Sequence, residues 1–209
     1  FEKLAPLEEV LRGLEDVVRS GKVLYIGASN YAAWQVSKAL GISEKNGWTK
    51  FDVIQPMYNL VKRAAEAEIF PQAMAEGLGV ITYSPVGGGL LSGKYGPDKR
   101  PKKGRIMDQK NYNTRYSAEW EFDTAGKFTE FAKEMGVHPV SLSVAWTAAH
   151  PAVTAPIVGA RDVKQLAPSL KSLDIKMTQE LWDQVAALSR TPAPATDRVE
   201  EYEPVQVRG

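Results

Sequence analysis

Cysteine is absent from the 209-residue chain, and histidine occurs only as His138 and His150. The lack of cysteine excludes structural disulfides, cysteine-based zinc sites, iron–sulfur clusters and thiol nucleophiles. Two histidines leave little for a histidine-rich metal centre, so no metal ligand is predicted. No apolar run approaches the roughly 18 residues of a spanning helix, so no membrane partner is predicted either.

A dominant charge sign is also missing, because 26 Lys and Arg residues offset 25 Asp and Glu residues, for a net charge of +1. Such a chain has no global field to attract nucleic acid, which is therefore not a predicted partner. The basic stretch at residues 99–105 lacks regular aromatic residues and is interpreted as a solvated loop, with closure over a bound ligand as the alternative. The lack of cysteine fits a reducing compartment, and we expect cytoplasmic localisation.

Short apolar runs alternate with helical periodicity, which indicates an α/β fold. The runs are apolar along their length, which predicts a parallel sheet covered on both faces. These predicted strands are residues 23–27, 51–56, 79–85 and 154–160. The first predicted helix begins at Pro6 and ends before Gly21. Further helices are predicted at 32–40, 65–76 and 139–149, around Phe128, and after Asp162 and Thr178.

Two segments have no regular period. Residues 92–123 are rich in Gly, Pro, Lys, Arg, Asn and Tyr, which predicts a long surface loop. Residues 191–209 carry prolines and a cluster of acids, which predicts an extended tail over the surface. The helical pattern starts directly after Phe1, and we expect that further sequence of the protein lies upstream.

Polar residues follow the carboxyl end of each predicted strand. They are Ser29 and Asn30, Gln55, Tyr83 and Ser84, and Arg161. This rim is where ligands bind in a (β/α)8 barrel. No G-x-G-x-x-G pattern follows a strand, so the dinucleotide fingerprint of the doubly wound fold is missing.

Four segments of the chain resemble an aldo-keto reductase in their order and spacing. They are Gly21-Lys22-Val23-Leu24-Tyr25-Ile26-Gly27-Ala28-Ser29-Asn30, Gln55-Pro56-Met57-Tyr58-Asn59-Leu60 with Arg63 and Glu66, Ile81-Thr82-Tyr83-Ser84-Pro85 through Gly93-Lys94-Tyr95, and Pro156-Ile157-Val158-Gly159-Ala160-Arg161. The resemblance implies a (β/α)8 TIM barrel, of which residues 1–190 supply the C-terminal half, with strands five to eight and a C-terminal helix. Residues 191–209 would form the tail, and the N-terminal half of the barrel would be a required partner, because half a barrel exposes two sheet edges and an open core.

The resemblance also implies a nicotinamide cofactor, NADP with NAD as the alternative. The implied cofactor-binding residues are Ser29, Asn30, Gln55, Tyr83, Ser84, Pro85, Val86, Gly87, Gly88, Leu90, Gly159, Ala160, Arg161, Gln165 and Ser169. Carboxamide recognition needs directional donors and acceptors, nicotinamide stacking needs a flat ring, and diphosphate binding suits a glycine-rich turn. A helix N-terminus with an arginine suits the 2′-phosphate.

The implied function is NAD(P)H-dependent interconversion of aldehydes or ketones and alcohols, with a small-molecule carbonyl or alcohol substrate. The family's catalytic Asp, Tyr, Lys and His come from the first four strands, so no catalytic residue is assigned here, while Tyr116 and Trp120 are candidate substrate-pocket walls. The family commonly has an acid and Asn where this chain has Pro168 and Ser169. One alternative is a non-catalytic cofactor-binding regulatory subunit similar to potassium-channel β subunits; a weaker one is a barrel lyase or aldolase.

Overall fold

The computed structural model describes residues 5–201 and 203–208 of the chain. Its helices and strands are α1 (Leu7–Arg19), β1 (Gly27–Ser29), α2 (Ala33–Asn46), β2 (Val53–Gln55), α3 (Ile69–Ala75), β3 (Gly79–Thr82), α4 (Arg105–Asp108), α5 (Lys110–Arg115), α6 (Glu119–Glu134), α7 (Pro139–Ala149), β4 (Ala155–Pro156), α8 (Val163–Leu170) and α9 (Gln179–Ala186). Short 3-10 helices occupy Ala64–Glu66, Gly87–Ser92, Lys171–Asp174 and Val199–Glu201. Residues 1–4 of the predicted barrel half and residues 202 and 209 of the predicted tail lie outside the described residues.

The strands form a four-stranded sheet in the order β1-β2-β3-β4. All three pairings are parallel, with Ala28 opposite Ile54, Ile54 opposite Val80, and Thr82 opposite Pro156. Sequential parallel strands joined by helical crossovers are the repeating unit of the (β/α)8 barrel. The predicted α/β class and its parallel sheet are confirmed.

The two faces of this sheet differ in burial. One face, which we call the outer face, carries Ala28, Ile54, Val80 and Thr82, and all four are buried in the core formed with the helices. The opposite, inner face carries Gly27, Ser29, Val53, Gln55 and Ile81, which are exposed or half-buried. The prediction that both faces are covered is therefore wrong for this chain, because its helices all pack on one side.

The central helix of the packed side is α7. Its Trp146 ring stacks between Tyr58, at a centroid distance of 5.2 Å, and Trp182 of α9, at 5.1 Å. The two indole N–H groups are satisfied reciprocally, since each donates to the backbone carbonyl of the other tryptophan at 3.2 Å. The predicted buried helix at 139–149 is confirmed, and its indole pair joins it to α9.

Both edge strands are shorter than predicted. Residues 23–26 are not strand, and Leu24 and Tyr25 are 79% and 72% exposed. The predicted strand 154–160 is reduced to Ala155–Pro156. Each of these strands pairs on one side only within the described residues, so the outer half of its backbone has no ladder to extend it.

The prediction of a loop over 92–123 is wrong in part, because α4, α5 and the start of α6 lie there. Four large residues of this segment are buried, namely Tyr95, Ile106, Tyr116 and Phe122. Their sequence separations follow neither a helical nor a strand period, which is why no element was predicted. The segment is folded onto the body of the protein.

Helix boundaries also shift. The helix predicted at 32–40 continues to Asn46 and ends at Gly47, whose φ of 65° closes it. Residues 65–76 divide into a 3-10 turn and α3, and Pro71 lies in the first turn of α3, where a missing N–H costs no helical bond. In the tail, Gln179 donates to the Val205 carbonyl at 2.8 Å and accepts from the Val207 N–H at 2.9 Å. These bonds hold this part of the tail against α9.

Candidate functional site

The ends of β1, β2 and β3 are joined by a directed chain of hydrogen bonds. The Tyr83 hydroxyl donates to Asn30 Oδ1 at 2.6 Å, and Asn30 Nδ2 donates to Ser29 Oγ at 3.1 Å. Ser29 Oγ in turn donates to the Gln55 backbone carbonyl at 3.0 Å. Burial raises the pKa of Tyr83 above its usual value, so its hydroxyl stays a neutral donor at physiological pH. Four predicted site residues therefore lie together at one rim of the sheet.

The Gln55 side chain is a polar group of this rim that is available to bind a ligand. It is half-buried on the inner face, and its carboxamide makes no hydrogen bond within the described part of the chain. A carboxamide offers one acceptor and two donors, a set complementary to another carboxamide. The rim thus presents a directional group held by a strand rather than by a loop.

Two residues of the rim adopt left-handed backbone conformations. Asn30 and Ser84 both have a φ of 58°, a region that non-glycine residues rarely occupy. Ser84 is held there because its carbonyl accepts from the Gly87 N–H at 2.9 Å and from Asn59 Nδ2 at 3.0 Å. Such conformations persist where the surroundings fix them, and they are common at ligand sites.

A tight glycine turn follows β3. Gly87, Gly88 and Gly89 have φ values of 60°, 65° and 102°. The turn is supported from below, since Ser143 of α7 donates to the Pro85 carbonyl at 2.7 Å and Leu90 is fully buried. Val86, at the start of this turn, is half-buried. Within the turn, the N–H groups of Gly87 and Gly89 donate to the Ser84 and Val86 carbonyls at 2.9 and 3.1 Å.

Tyr112 covers this turn, and sequence reasoning did not find it. A Cβ on Gly88 would lie 2.7 Å from the Tyr112 ring, so the ring packs directly on the glycine backbone. The guanidinium groups of Arg105 and Arg115 lie 5.2 and 5.1 Å from the Tyr112 ring centroid. The glycine turn is therefore flanked by two cations. The basic stretch ending at Arg105 was the only sequence signal for them.

The second predicted group surrounds the start of α8. Gly159, Ala160 and Arg161 are exposed there. Asp162 caps the helix by accepting from the Gln165 N–H at 2.8 Å, while Gln165 Oε1 accepts from the Arg161 N–H at 2.8 Å.

The predicted N-cap at Asp162 is confirmed, but the capping box is not complete, because Gln165 Oε1 accepts from the N–H of Arg161 and not from that of Asp162. This bond fixes the backbone of Arg161. Ser169 is 8% exposed and lies on the packed side of α8, so it is separated from the exposed members of this group.

Beside the rim lies a cleft of about 500 Å³. Its lining residues come from the segment after β2, the start of α6 and the chain after α9: Met57, Val61, Lys62, Arg63, Ala64, Ala67, Trp120, Arg190, Thr191, Pro192 and Ala193. Of the two predicted pocket walls, Trp120 lines this cleft, whereas Tyr116 is buried and contacts Met57 Sδ through its hydroxyl at 3.7 Å.

A buried ion pair supports the floor of this cleft. Arg63 and Glu66 have side chains only 4% and 6% exposed, and Arg63 Nε lies 2.8 Å from Glu66 Oε1. Glu66 also accepts from the Tyr58 hydroxyl at 2.7 Å, and Arg63 donates to the Ala186 carbonyl at 3.3 Å. Arg63 and Glu66 belong to a segment that resembles the family, but the sequence predicted no role for them. Their geometry ties the loop after β2 to α9.

The two histidines have structural surroundings. His138 is the N-cap of α7, and its Nδ1 accepts from the Val140 N–H at 3.1 Å. His150 is buried, and its Nδ1 accepts from the Ala152 N–H at 3.2 Å. Within residues 5–201 and 203–208, no group of three or more His, Cys, Asp or Glu side chains has metal-binding geometry. No helix among these residues is both long and apolar enough to cross a membrane.

A sequential, parallel four-stranded sheet with helical crossovers is the arrangement of part of a (β/α)8 barrel. The model of the aldo/keto reductase family matches residues 1–190, and the chain belongs to this family.

Relatives of the chain carry oxidoreductase and channel-subunit names. An uncharacterized oxidoreductase, YrpG, from Bacillus subtilis is 36% identical over 87% of this chain and 53% of its own length. Versiconal hemiacetal acetate reductase from Aspergillus parasiticus is 34% identical over 86% of this chain and 52% of its own. A probable voltage-gated potassium channel subunit beta from Oryza sativa is 30% identical over 92% of this chain and 60% of its own length. The chain thus spans about half the length of the relatives it matches.

Proposed function

We propose that the protein is an NADP-dependent oxidoreductase that interconverts aldehydes or ketones and alcohols, and that this chain carries the cofactor-binding half of its site. The observation that carries the proposal is the hydrogen-bonded rim, where the free Gln55 carboxamide lies beside a glycine turn flanked by cations. Membership of the aldo/keto reductase family supports the same reaction class.

The rim fits the nicotinamide end of the cofactor. Ser29, Asn30 and Gln55 provide polar groups of the kind that bind its carboxamide. The Tyr83 ring would stack on the nicotinamide, and its hydroxyl bond to Asn30 would hold the ring plane fixed. When bound, the cofactor would supply the hydride that reduces a carbonyl group. The contribution of these four residues is to orient the ring.

The glycine turn fits the diphosphate. Residues 84–90 would lie along the diphosphate, and the positive φ of Gly88 is compatible with close approach of an anion, while the N–H groups of Gly87 and Gly89 are already bonded within the turn. We add Arg105 and Arg115 to the proposed contacts, because both cations lie over Tyr112 on this turn. Charge-assisted bonds from arginine to phosphate are stronger than neutral ones.

The start of α8 fits the adenosine end. Gly159, Ala160, Arg161 and Gln165 lie at a helix start whose N–H groups and dipole favour an anion. Arg161 would bind the 2′-phosphate, which makes NADP the preferred cofactor and NAD the poorer one. Ser169 remains a proposed contact that would need its end of α8 to open toward the ligand, because it is buried.

The exposure of the inner face and of the residues beside a sheet edge supports the proposal that a partner segment covers them. Leu24 and Tyr25, which directly precede the edge strand β1, are 79% and 72% exposed, and the inner face of the sheet is exposed or half-buried. An adjacent pair of large apolar residues beside an accessible sheet face suits packing against another chain segment. We propose that the N-terminal half of the barrel covers them and supplies the catalytic residues. A cytoplasmic location completes the proposal, supported by the absence of cysteine.

The test is isothermal titration of the intact protein with NADPH. The variants Tyr83→Ala and Arg161→Ala should each weaken binding by roughly tenfold, because each removes one strong contact. Arg161→Ala should also reduce the preference for NADPH over NADH. The control Arg12→Ala removes an exposed arginine of α1 and should leave the affinity unchanged. Absence of NADPH binding, or equal affinities in all four proteins, would refute the proposal.

A cofactor-binding regulatory subunit is the second candidate, because one relative of this chain bears the name of a potassium channel subunit beta. Both functions predict NADPH binding at the rim, and only the first predicts turnover. Following NADPH absorbance with an aldehyde present separates them, since a regulatory subunit would bind the cofactor without consuming it.

A further inference from the structure

The cleft beside the rim adjoins the proposed nicotinamide position at one of its lining residues. Met57 forms the connection: it lies two residues after Gln55, forms a parallel bridge with Tyr83, and lines the cleft. A ligand in the cleft would therefore lie next to the two side chains proposed to hold the nicotinamide. Its volume of about 500 Å³ is in the range of small-molecule sites.

Most of the cleft wall is apolar. Met57, Val61, Ala64 and Pro192 supply aliphatic surface, and the Trp120 indole supplies a flat aromatic one. A wall of this composition favours a compact apolar body, and an aromatic ring would gain stacking on the indole. The apolar surface alone selects no functional group.

Three cations border the cleft, and two are neutralised. Lys62 Nζ lies 2.5 Å from Glu121 Oε1, and Arg63 is paired with Glu66. The third is Arg190, whose guanidinium lies 4.6 Å from the Trp120 ring centroid. In the part of the chain that the structure describes, no carboxylate lies within ion-pair distance of Arg190. The cleft thus has one unneutralised positive charge, at its mouth and stacked on its aromatic wall.

We infer that this cleft binds a carbonyl compound whose apolar, aromatic body carries a carboxylate, and that Arg190 binds the carboxylate. The inference rests on the proposed function, because the carbonyl end must face the nicotinamide position near Met57. A guanidinium presents two parallel N–H donors to a carboxylate, and Arg190 is exposed while it lies over Trp120. Arg190 would therefore act as a specificity residue at the end of the ligand far from the reacting carbonyl.

The experiment compares two probes of nearly equal shape, 4-carboxybenzaldehyde and its uncharged methyl ester. Their binding is measured by calorimetry in the presence of NADP⁺, which cannot reduce the aldehyde. The proteins are the parent, Arg190→Met, Arg190→Lys and the control Arg12→Met. We expect the parent and the control to prefer the acid roughly tenfold, Arg190→Met to lose that preference while binding the ester as before, and Arg190→Lys to retain part of it.

Different outcomes separate this inference from the proposed function. If NADP⁺ binds but the parent does not distinguish acid from ester, the carboxylate inference is wrong and the cofactor site stands. If Arg190→Met weakens the binding of both probes equally, the carboxylate inference is also wrong, because that result indicates a packing role for Arg190. If NADP⁺ does not bind while the acid preference depends on Arg190, the cleft site is correct and the oxidoreductase proposal fails.

Discussion

The two faces of the sheet each carry β-branched apolar residues, but these residues have opposite surroundings. On the outer face, Ile54 is 3% exposed and packs in a core with the helices. On the inner face, Ile81 of the neighbouring strand is only half-buried. The difference teaches that the helices of this chain bury the outer face of the sheet and leave the inner face accessible.

The proposed cofactor site lies on the boundary between these two regions. Its support comes from the packed side, as Ser143 of α7 illustrates by donating to the Pro85 carbonyl beneath the glycine turn. Its polar groups, such as Gln55, lie on the inner side. A rigid base with an accessible rim is the arrangement that holds ligand-binding groups in place.

The largest effect is expected at the buried ion pair of the packed side. Glu66→Gln leaves Arg63 buried without its charge partner and should lower the free energy of unfolding by about 3–5 kcal/mol. Asp16→Asn is the matched control, because it breaks an exposed pair with Arg12 and should cost less than about 1 kcal/mol. Urea denaturation measures both. Equal losses of unfolding free energy in the two variants would show that the buried pair stabilises the fold no more than the exposed pair does.

The next prediction compares the faces directly. Ile54→Ala should cost about 2–5 kcal/mol in urea denaturation, because it opens a cavity in the core. In this chain alone, Ile81→Ala should cost less than about 1 kcal/mol, because water already reaches that side chain. With the rest of the barrel present, the cost at Ile81 should rise toward that at Ile54. Equal costs in the isolated chain would contradict an open inner face.

A pH effect is expected from His150 on the packed side. Burial, aided by Arg63 and Arg208, lowers the pKa of His150 to about 4. The unfolded chain, with a pKa of about 6.5, binds the proton more readily. Stability from this group is therefore complete above about pH 6.5 and falls by about 3 kcal/mol as the pH drops to about 4.

The measurement for His150 is the urea midpoint between pH 7 and pH 4, for the parent and for His150→Gln. The variant has no titrating group at this position, so its midpoint should fall less over that interval. Parallel pH profiles for the two proteins would rule out a buried neutral histidine as the source.

The smallest predicted stability effect concerns the glycine turn. Gly88→Ala places a methyl group at a φ of 65° and against the Tyr112 ring, and should cost about 2 kcal/mol. Gly136→Ala is the control, because its φ is 69° but nothing lies within 4 Å of the added Cβ. It should cost about 1 kcal/mol and leave NADPH affinity unchanged, whereas Gly88→Ala should weaken it. Equal effects on stability and affinity would indicate that contact with Tyr112 is unimportant.

Local patterns predicted the elements of the packed side well. Continuous apolar residues predicted the buried helix at 139–149, and Asp162 was correctly predicted as the N-cap of α8. The predicted strands were too long at both edges, because strand length depends on pairing partners that the run of Val23, Leu24 and Tyr25 does not reveal.

The site was only partly predictable. The strand-end positions of Ser29, Gln55 and Tyr83 followed from the alternation of strands and helices, while their specific roles came from a family resemblance. Tyr112 reaches Gly88 only through the fold of a segment without a regular period, and Arg190 reaches Trp120 across about 70 residues of sequence. Contacts of this kind depend on tertiary packing, which local spacing does not encode.

The most direct test of the central claim is a crystal structure of the protein with NADP⁺ bound. We predict that the nicotinamide lies against Tyr83 with its carboxamide at Gln55, that the diphosphate lies along Gly87 and Gly88, and that the 2′-phosphate lies at Arg161. Cofactor density away from the ends of β1, β2 and β3, or no cofactor at saturating concentration, would contradict the account.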